Sequence, residues 1–119
     1  MTTGGIVFFR TTNREATTAF YTDTVGAEVW LEQSGCTILR HGNMLFGLCD
    51  GEETEAEGIV TFVYDTDDEV DRMHERVGDA AREDPHENDQ YDIYQFFATD
   101  PDGRTVEFQT FRHDVSDPL

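Results

Sequence analysis

The sequence predicts an α+β fold of two βαβββ modules that form a cupped mixed β-sheet, with a helix on the outer face of each module. Three observations predict it. Apolar, β-prone runs and helical stretches follow one another in the order strand, helix, three strands, and that order then repeats. An acidic, apolar-poor stretch, 51–57, separates the two copies and reads as a linker. Near the end of the chain, the turn Asp100-Pro101-Asp102-Gly103 joins two β-prone runs. The copies share little identity, so the repeat is one of architecture. The 119 residues are read as a single domain, with one module at about 5–50 and the other at about 58–112.

Ile6 to Arg10 is apolar and opens the first module. Asn13 suits a helix N-cap, with Glu15 and Ala16 in the first turn. The helix runs through Ala19, Phe20 and Tyr21 to about Thr24, and Gly26 is placed to stop it in the left-handed conformation. Strands follow at Ala27 to Gln33, Cys36 to His41 and Met44 to Cys49, divided by Ser34-Gly35 and Gly42-Asn43 turns. Gly58 to Asp65 opens the second module. Asp67 or Asp68 caps a second helix, whose Val70, Met73 and Val77 share one face, and Gly78 ends it. Arg82 to Asp92 is polar, contains Pro85, and reads as a mobile loop around a short edge strand.

In the closing hairpin, alternation puts Val106 and Phe108 on one face and Thr105, Glu107 and Gln109 on the other. With Thr99 and Arg104 as the pair flanking the turn, Glu107 stands opposite Phe96. The tail from His113 is acidic and is expected to fray.

Charge narrows the function classes. There are 26 acidic residues against 8 basic ones, all arginine, for a net charge of −18. An aromatic fraction of 12 % and periodic apolar runs argue for folding over disorder. So acidic a surface repels itself and needs screening, and it makes nucleic acid a poor partner. Lysine-free, Asp/Glu-rich composition resembles that of cytoplasmic proteins from salt-loving microbes, so a haloarchaeal-type cytoplasmic protein is expected. Cys36 and Cys49 form neither a CxxC nor a metal-type spacing. A disulfide between them is open, and reduced thiols are the simpler expectation. The stretch from Met1 to Gly5 shows no basic leader, and no apolar run is long enough for a span, so no membrane partner is expected.

Three segments carry a family resemblance. Phe20-Tyr21 followed by Val25-Gly26 resembles an "FY…LG" helix end, and Phe62-Val63-Tyr64-Asp65 resembles a strand-to-helix step. The third is Phe96 to Phe108 around the Asp100 to Gly103 turn. Together, over about residues 6 to 111, the chain resembles the glyoxalase / bleomycin-resistance / dioxygenase superfamily, the vicinal oxygen chelate proteins. The resemblance implies four metal-ligand positions, which fall on Ile6, Phe46 or its neighbour Gly47, Ile59 and Glu107. Three of the four carry no donor atom, and zinc, nickel and iron need N, O or S donors. No metal and no other cofactor is therefore expected. The resemblance also implies a cavity for a small-molecule ligand and a homodimer.

Glu107 is the candidate catalytic residue. A carboxylate facing a cavity among Ile6, Ile59 and Phe96 would be desolvated and suited to proton transfer; the alternative is a structural carboxylate paired with Arg10, Arg40 or Arg104. Alternation turns Phe8 and Arg10 inward with Ile6, and Arg10 suits an anionic ligand group or a rim salt bridge. Thr61 and Gln109 are read as cavity-lining. Phe96, beside Glu107, is read as a ligand-binding residue; Trp30, Phe46 and Tyr94 are strand aromatics that either stack on a flat ligand or pack in the core. The histidines show no ligand spacing. The expected function is a small-molecule-binding protein without a metal site. The alternatives are a metal-free lyase or isomerase using Glu107, a metal-dependent lactoylglutathione-lyase-like or extradiol-dioxygenase-like enzyme, and an assembly subunit whose cavity is self-filled.

Overall fold

The structure, a computed structural model, describes residues 4–117. Met1 to Thr3 and the end of the acidic tail lie outside the described residues. Contacts divide the chain into two units, 4–56 and 57–117, each holding one four-stranded mixed sheet and one principal helix.

In the first unit the strand order is β1-β4-β3-β2. β1 (Val7–Thr11) runs parallel to β4 (Met44–Asp50), while β3 (Cys36–His41) is antiparallel to both β4 and β2 (Glu28–Gln33). α1 (Arg14–Ala19) starts where Asn13 Oδ1 accepts the Ala16 N–H at 3.3 Å. It continues as a π-helical stretch, Phe20–Val25. Gly26, at φ 96°, ends it, and the Gly26 and Ala27 N–H groups both bond the Tyr21 carbonyl, at 3.0 and 2.8 Å. Tyr21 is fully buried, and its ring meets Phe46 edge-on at 5.1 Å. Phe46 and Leu48 thus lie on the helix face, and Gly47 between them points to the opposite face.

Two expectations change in this unit. Cys36 and Cys49 are bonded to each other rather than reduced. They are direct cross-strand partners. The neighbouring pair is the hydrogen-bonded one, with Asp50 N–H donating to the Gly35 carbonyl at 2.8 Å, so the cysteines occupy the close, non-hydrogen-bonded kind of pair. Their sequence spacing carries none of this register. The stretch read as a linker also folds back on β1: Gly51 N–H bonds the Thr11 carbonyl and Glu55 N–H the Arg10 carbonyl, both at 3.0 Å, and Glu55 Oε1 accepts the Arg10 N–H at 2.8 Å.

In the second unit the order is β5-β8-β7-β6. β5 (Ile59–Tyr64) is parallel to β8 (Thr105–Phe111), and β7 (Ile93–Thr99) is antiparallel to β8 and to the short β6 (His86–Asn88). α2 (Asp67–Val77) is capped by Thr66, whose hydroxyl accepts the Glu69 N–H at 3.2 Å. Asp67 and Asp68, expected as caps, sit inside the first turn, where their charge complements the helix dipole. Val70, Met73 and Val77 are buried, as their spacing predicts. Under α2 the rings of Phe62, Phe108 and Phe96 stack, Phe108 lying 5.6 Å from Phe62 and 5.0 Å from Phe96.

The closing turn is one residue longer than expected. Asp100 N–H bonds the Arg104 carbonyl and Gly103 N–H bonds the Asp100 carbonyl, each at 3.0 Å, with Gly103 at φ 87°. Asp100 Oδ1 accepts the Asp102 and Arg104 N–H groups at 2.9 Å, and Oδ2 accepts Arg104 Nη1 at 2.7 Å. The turn therefore absorbs Arg104, and Thr99 pairs with Thr105. Glu107 stands opposite Phe97, and Phe96 opposite Phe108.

Candidate functional site

The face of the second sheet turned away from α2 follows from register and alternation. It carries Ile59, Thr61 and Val63 of β5; Thr105, Glu107, Gln109 and Phe111 of β8; Ile93, Gln95, Phe97 and Thr99 of β7; and Asn88 of β6. Across it runs a row of polar side chains. Thr61 Oγ1 donates to Glu107 Oε1 at 2.8 Å. Gln95 Nε2 donates to Glu107 Oε2, and Asn88 Nδ2 donates to Gln95 Oε1 at 2.7 Å. One residue from each of the four strands thus joins a chain of hydrogen bonds ending on a carboxylate.

Glu107 is 9 % exposed and Gln95 3 %. Among the described residues no cation pairs with Glu107. Arg104 holds Asp100 and Arg40 holds Glu28. Glu107 is therefore a carboxyl group held by neutral donors. Each carboxylate oxygen has a second lone pair, which Thr61 and Gln95 do not occupy. Around it Ile59 and Val63 are more than half exposed, and Gln109 is half-buried.

The structure brings together Glu107, Thr61 and Gln109 of the expected site residues and moves three others off it. Phe96 lies on the opposite, helix-covered face, stacked on Phe108, with His74 of α2 edge-on to it at 5.1 Å. Tyr94 lies on that same face: its hydroxyl donates to Asp71 of α2 at 2.6 Å, and the Arg112 guanidinium sits over its ring at 4.9 Å. The Asp71 carboxylate that accepts its hydrogen bond raises Tyr94 to about 12. Phe46 is core, packed on Tyr21. In the first unit Phe8 is half-exposed beside Gly47, where a Cβ would collide with the Phe8 ring. Arg10 shares its parity on β1. Trp30 is half-exposed at a bulge of the edge strand β2, between the register positions of Val29 and Leu31. Gln95 and Asn88 were not among the expected residues; only the observed register puts them on this face.

The residues do not fit a metal site of the kind the resemblance implies. Ile6, Gly47 and Ile59 have no donor, and Phe46 is buried under the first helix, so Glu107 is the one donor among the four positions. Among the described residues no group of three or more His, Cys, Asp or Glu is placed to hold an ion. A separate open groove of about 510 Å³ lies beside α1, lined by Asn13, Arg14, Glu15, Glu32 and Asp50 among others. In it Arg14 Nε reaches Asp50 at 3.2 Å and Glu32 accepts from Thr37 at 3.2 Å, while the buried Arg14 Nη1 and Thr18 Oγ1 have no hydrogen-bond partner among the described residues.

No known family profile matches the sequence, and no curated protein does. Solved structures share the fold. A glyoxalase/bleomycin resistance protein/dioxygenase from Nocardioides is 18 % identical, with 100 % of this chain and 90 % of that one covered, at a TM-score of 0.74. A glyoxalase/bleomycin resistance protein/dioxygenase family enzyme from Burkholderia phytofirmans is 20 % identical, covering 88 % and 95 %, at 0.76. A lactoylglutathione lyase from Agrobacterium tumefaciens is 22 % identical, covering 88 % and 90 %, at 0.72. The likeness is one of fold: two glyoxalase-like βαβββ modules, as the order of elements in the sequence predicts.

Proposed function

We propose that this protein binds a small molecule on the far face of the second sheet, against Glu107, and does so without a metal ion. The observation that carries this reading is the nearly buried carboxylate with two neutral donors and no cation beside it. Desolvating a carboxylate costs several kcal/mol, of the order that a bonded ion pair offsets. Hydrogen bonds to a charged group offset about 1.5–3 kcal/mol each. A neutral residue would serve structure alone at lower cost. A ligand hydroxyl, ammonium or activated C–H would use the lone pairs left over.

A second reading is favoured by the same arrangement. Thr61 and Gln95 fix the Glu107 carboxylate in one orientation, as a general base in a metal-free lyase or isomerase requires. The half-exposed apolar edge of Val29, Trp30 and Leu31 supports a homodimer. The lysine-free acidic composition supports a haloarchaeal-type cytoplasmic protein. No helix of the described residues is long and apolar enough to cross a membrane.

The test is ligand-observed NMR against a library of small polar metabolites, with wild type and Glu107→Gln compared for every hit. Hits should weaken at least about tenfold in the variant, a loss of about 1.4 kcal/mol. Deuterium exchange into a bound hit that stops in Glu107→Gln selects the catalytic reading. Hits bound equally by both proteins would remove Glu107 from the site.

A further inference from the structure

One step along β8 from Glu107, the same face carries donors that the polar row does not use. Arg82 is exposed just before β6, its N–H bonded to the Phe97 carbonyl at 2.9 Å. Its guanidinium donates through Nε to Thr99 Oγ1 at 2.7 Å and through Nη2 to Thr105 Oγ1 at 2.9 Å. Thr99 and Thr105 are the pair that closes the hairpin, on the Glu107 side of the sheet. The chain has 26 acidic residues, yet among the described residues no carboxylate reaches Arg82. The acids next to it are turned elsewhere. Glu83 accepts the Phe97 N–H at 3.2 Å and meets His86, while Asp84 meets His74. Arg14, Arg40, Arg104 and Arg112 all hold carboxylates.

A threonine hydroxyl that accepts from a guanidinium keeps its own hydrogen to give. Among the described residues neither Thr99 nor Thr105 donates it elsewhere. The trio thus sets two O–H donors beside a guanidinium that, among the described residues, keeps Nη1 and one Nη2 hydrogen unused, a cluster of donors and positive charge suited to an oxyanion. Thr105 and Glu107 are two residues apart on one strand, about 7 Å. Hydrogen bonds of about 2.8 Å at each end, rising off the sheet face, suit only a ligand whose carboxylate and second polar group sit on neighbouring carbons.

From this juxtaposition we propose that Arg82, Thr99 and Thr105 form the anion-recognising end of the far-face site, and that its ligand is a short hydroxy or oxo acid. Its carboxylate lies on the three donors and its hydroxyl or carbonyl-bearing carbon faces Glu107. The assignment rests on the reading of Glu107 as a ligand contact. The fixed guanidinium also answers an electrostatic problem, since a small anion approaching a chain of net charge −18 is otherwise repelled.

The experiment titrates the wild-type protein with lactate, methyl lactate and inorganic phosphate, following the arginine Nε–Hε resonances and the Thr99 and Thr105 amides. Lactate should give saturable shifts, and its neutral ester none. Arg82→Met should lower lactate affinity at least about tenfold, and Thr105→Val, which keeps the cation, should lower it by a smaller factor. Lactate shifts that survive in both variants overturn the cradle. Saturable phosphate binding at these resonances without lactate binding overturns the assignment to an organic acid. Binding lost in Arg82→Met and kept in Glu107→Gln leaves the cradle standing and removes Glu107; the reverse removes the cradle and leaves Glu107.

Discussion

Replacing Asp100 by alanine should cost more stability than any surface substitution in this protein. Both members of the Asp100–Arg104 pair are buried, at 0 % and 1 % side-chain exposure, 2.7 Å apart. Asp100 also accepts two backbone N–H groups of the turn. The variant leaves those two donors without their acceptor, at about 1 kcal/mol each, and strands a buried guanidinium. Breaking one side of such a pair costs about 3–5 kcal/mol in total. Removing both charges, in Asp100→Ala with Arg104→Met, should recover part of that loss, because no charge is then left desolvated. The assay is urea unfolding at fixed high salt, followed by far-UV circular dichroism, since the single tryptophan, Trp30, lies in the other unit. A loss below about 1 kcal/mol in the single variant, or strict additivity in the double, would refute the reasoning.

Burial lowers the pKa of His41, so the fold favours its neutral form. That contribution is present above the unfolded value of 6.5 and lost as pH falls through the folded one. His86 runs the other way. The Glu87 carbonyl and the Glu83 carboxylate raise it, so its contribution is full below 6.5 and lost as pH rises through the folded value. Proton NMR titration of the two rings should place them on opposite sides of 6.5; the same side for both contradicts the assignment. Gly47→Ala forces the Phe8 ring aside and should cost about 1–3 kcal/mol in an unfolding titration, while Phe8→Ala in the same background should relieve it. Reduction of Cys36–Cys49 opens a loop of sequence separation 13 and should cost up to about 3 kcal/mol, read as a drop in melting temperature on adding reductant.

Much of the fold was legible because hydrophobic alternation and turn chemistry agree along the chain. Val106 and Phe108 went to the helix side and Glu107 to the other, as their spacing implies. What failed was a register one residue out. Asp-Pro-Asp-Gly reads as a turn, but the sequence does not show that the Asp100 carboxylate would also claim the Arg104 N–H and side chain. That extra residue moves every side chain of β7 to the other face. Phe96 thereby left the expected site for the core, and Gln95 entered it as the partner of Glu107. Strands β5 and β8 are ordered by their own patterns, so Thr61, Glu107 and Gln109 were unaffected. The cysteine bond was hidden for a related reason: only the hairpin register puts Cys36 opposite Cys49.

The central claim is that Glu107 receives an organic ligand rather than a metal ion. Native mass spectrometry of the protein as purified, without added metal or chelator, tests it most directly. Wild type should carry a small organic adduct that Glu107→Gln loses, with transition metal far below one per chain in both. One transition metal per chain in wild type, lost in Glu107→Gln, would contradict the account.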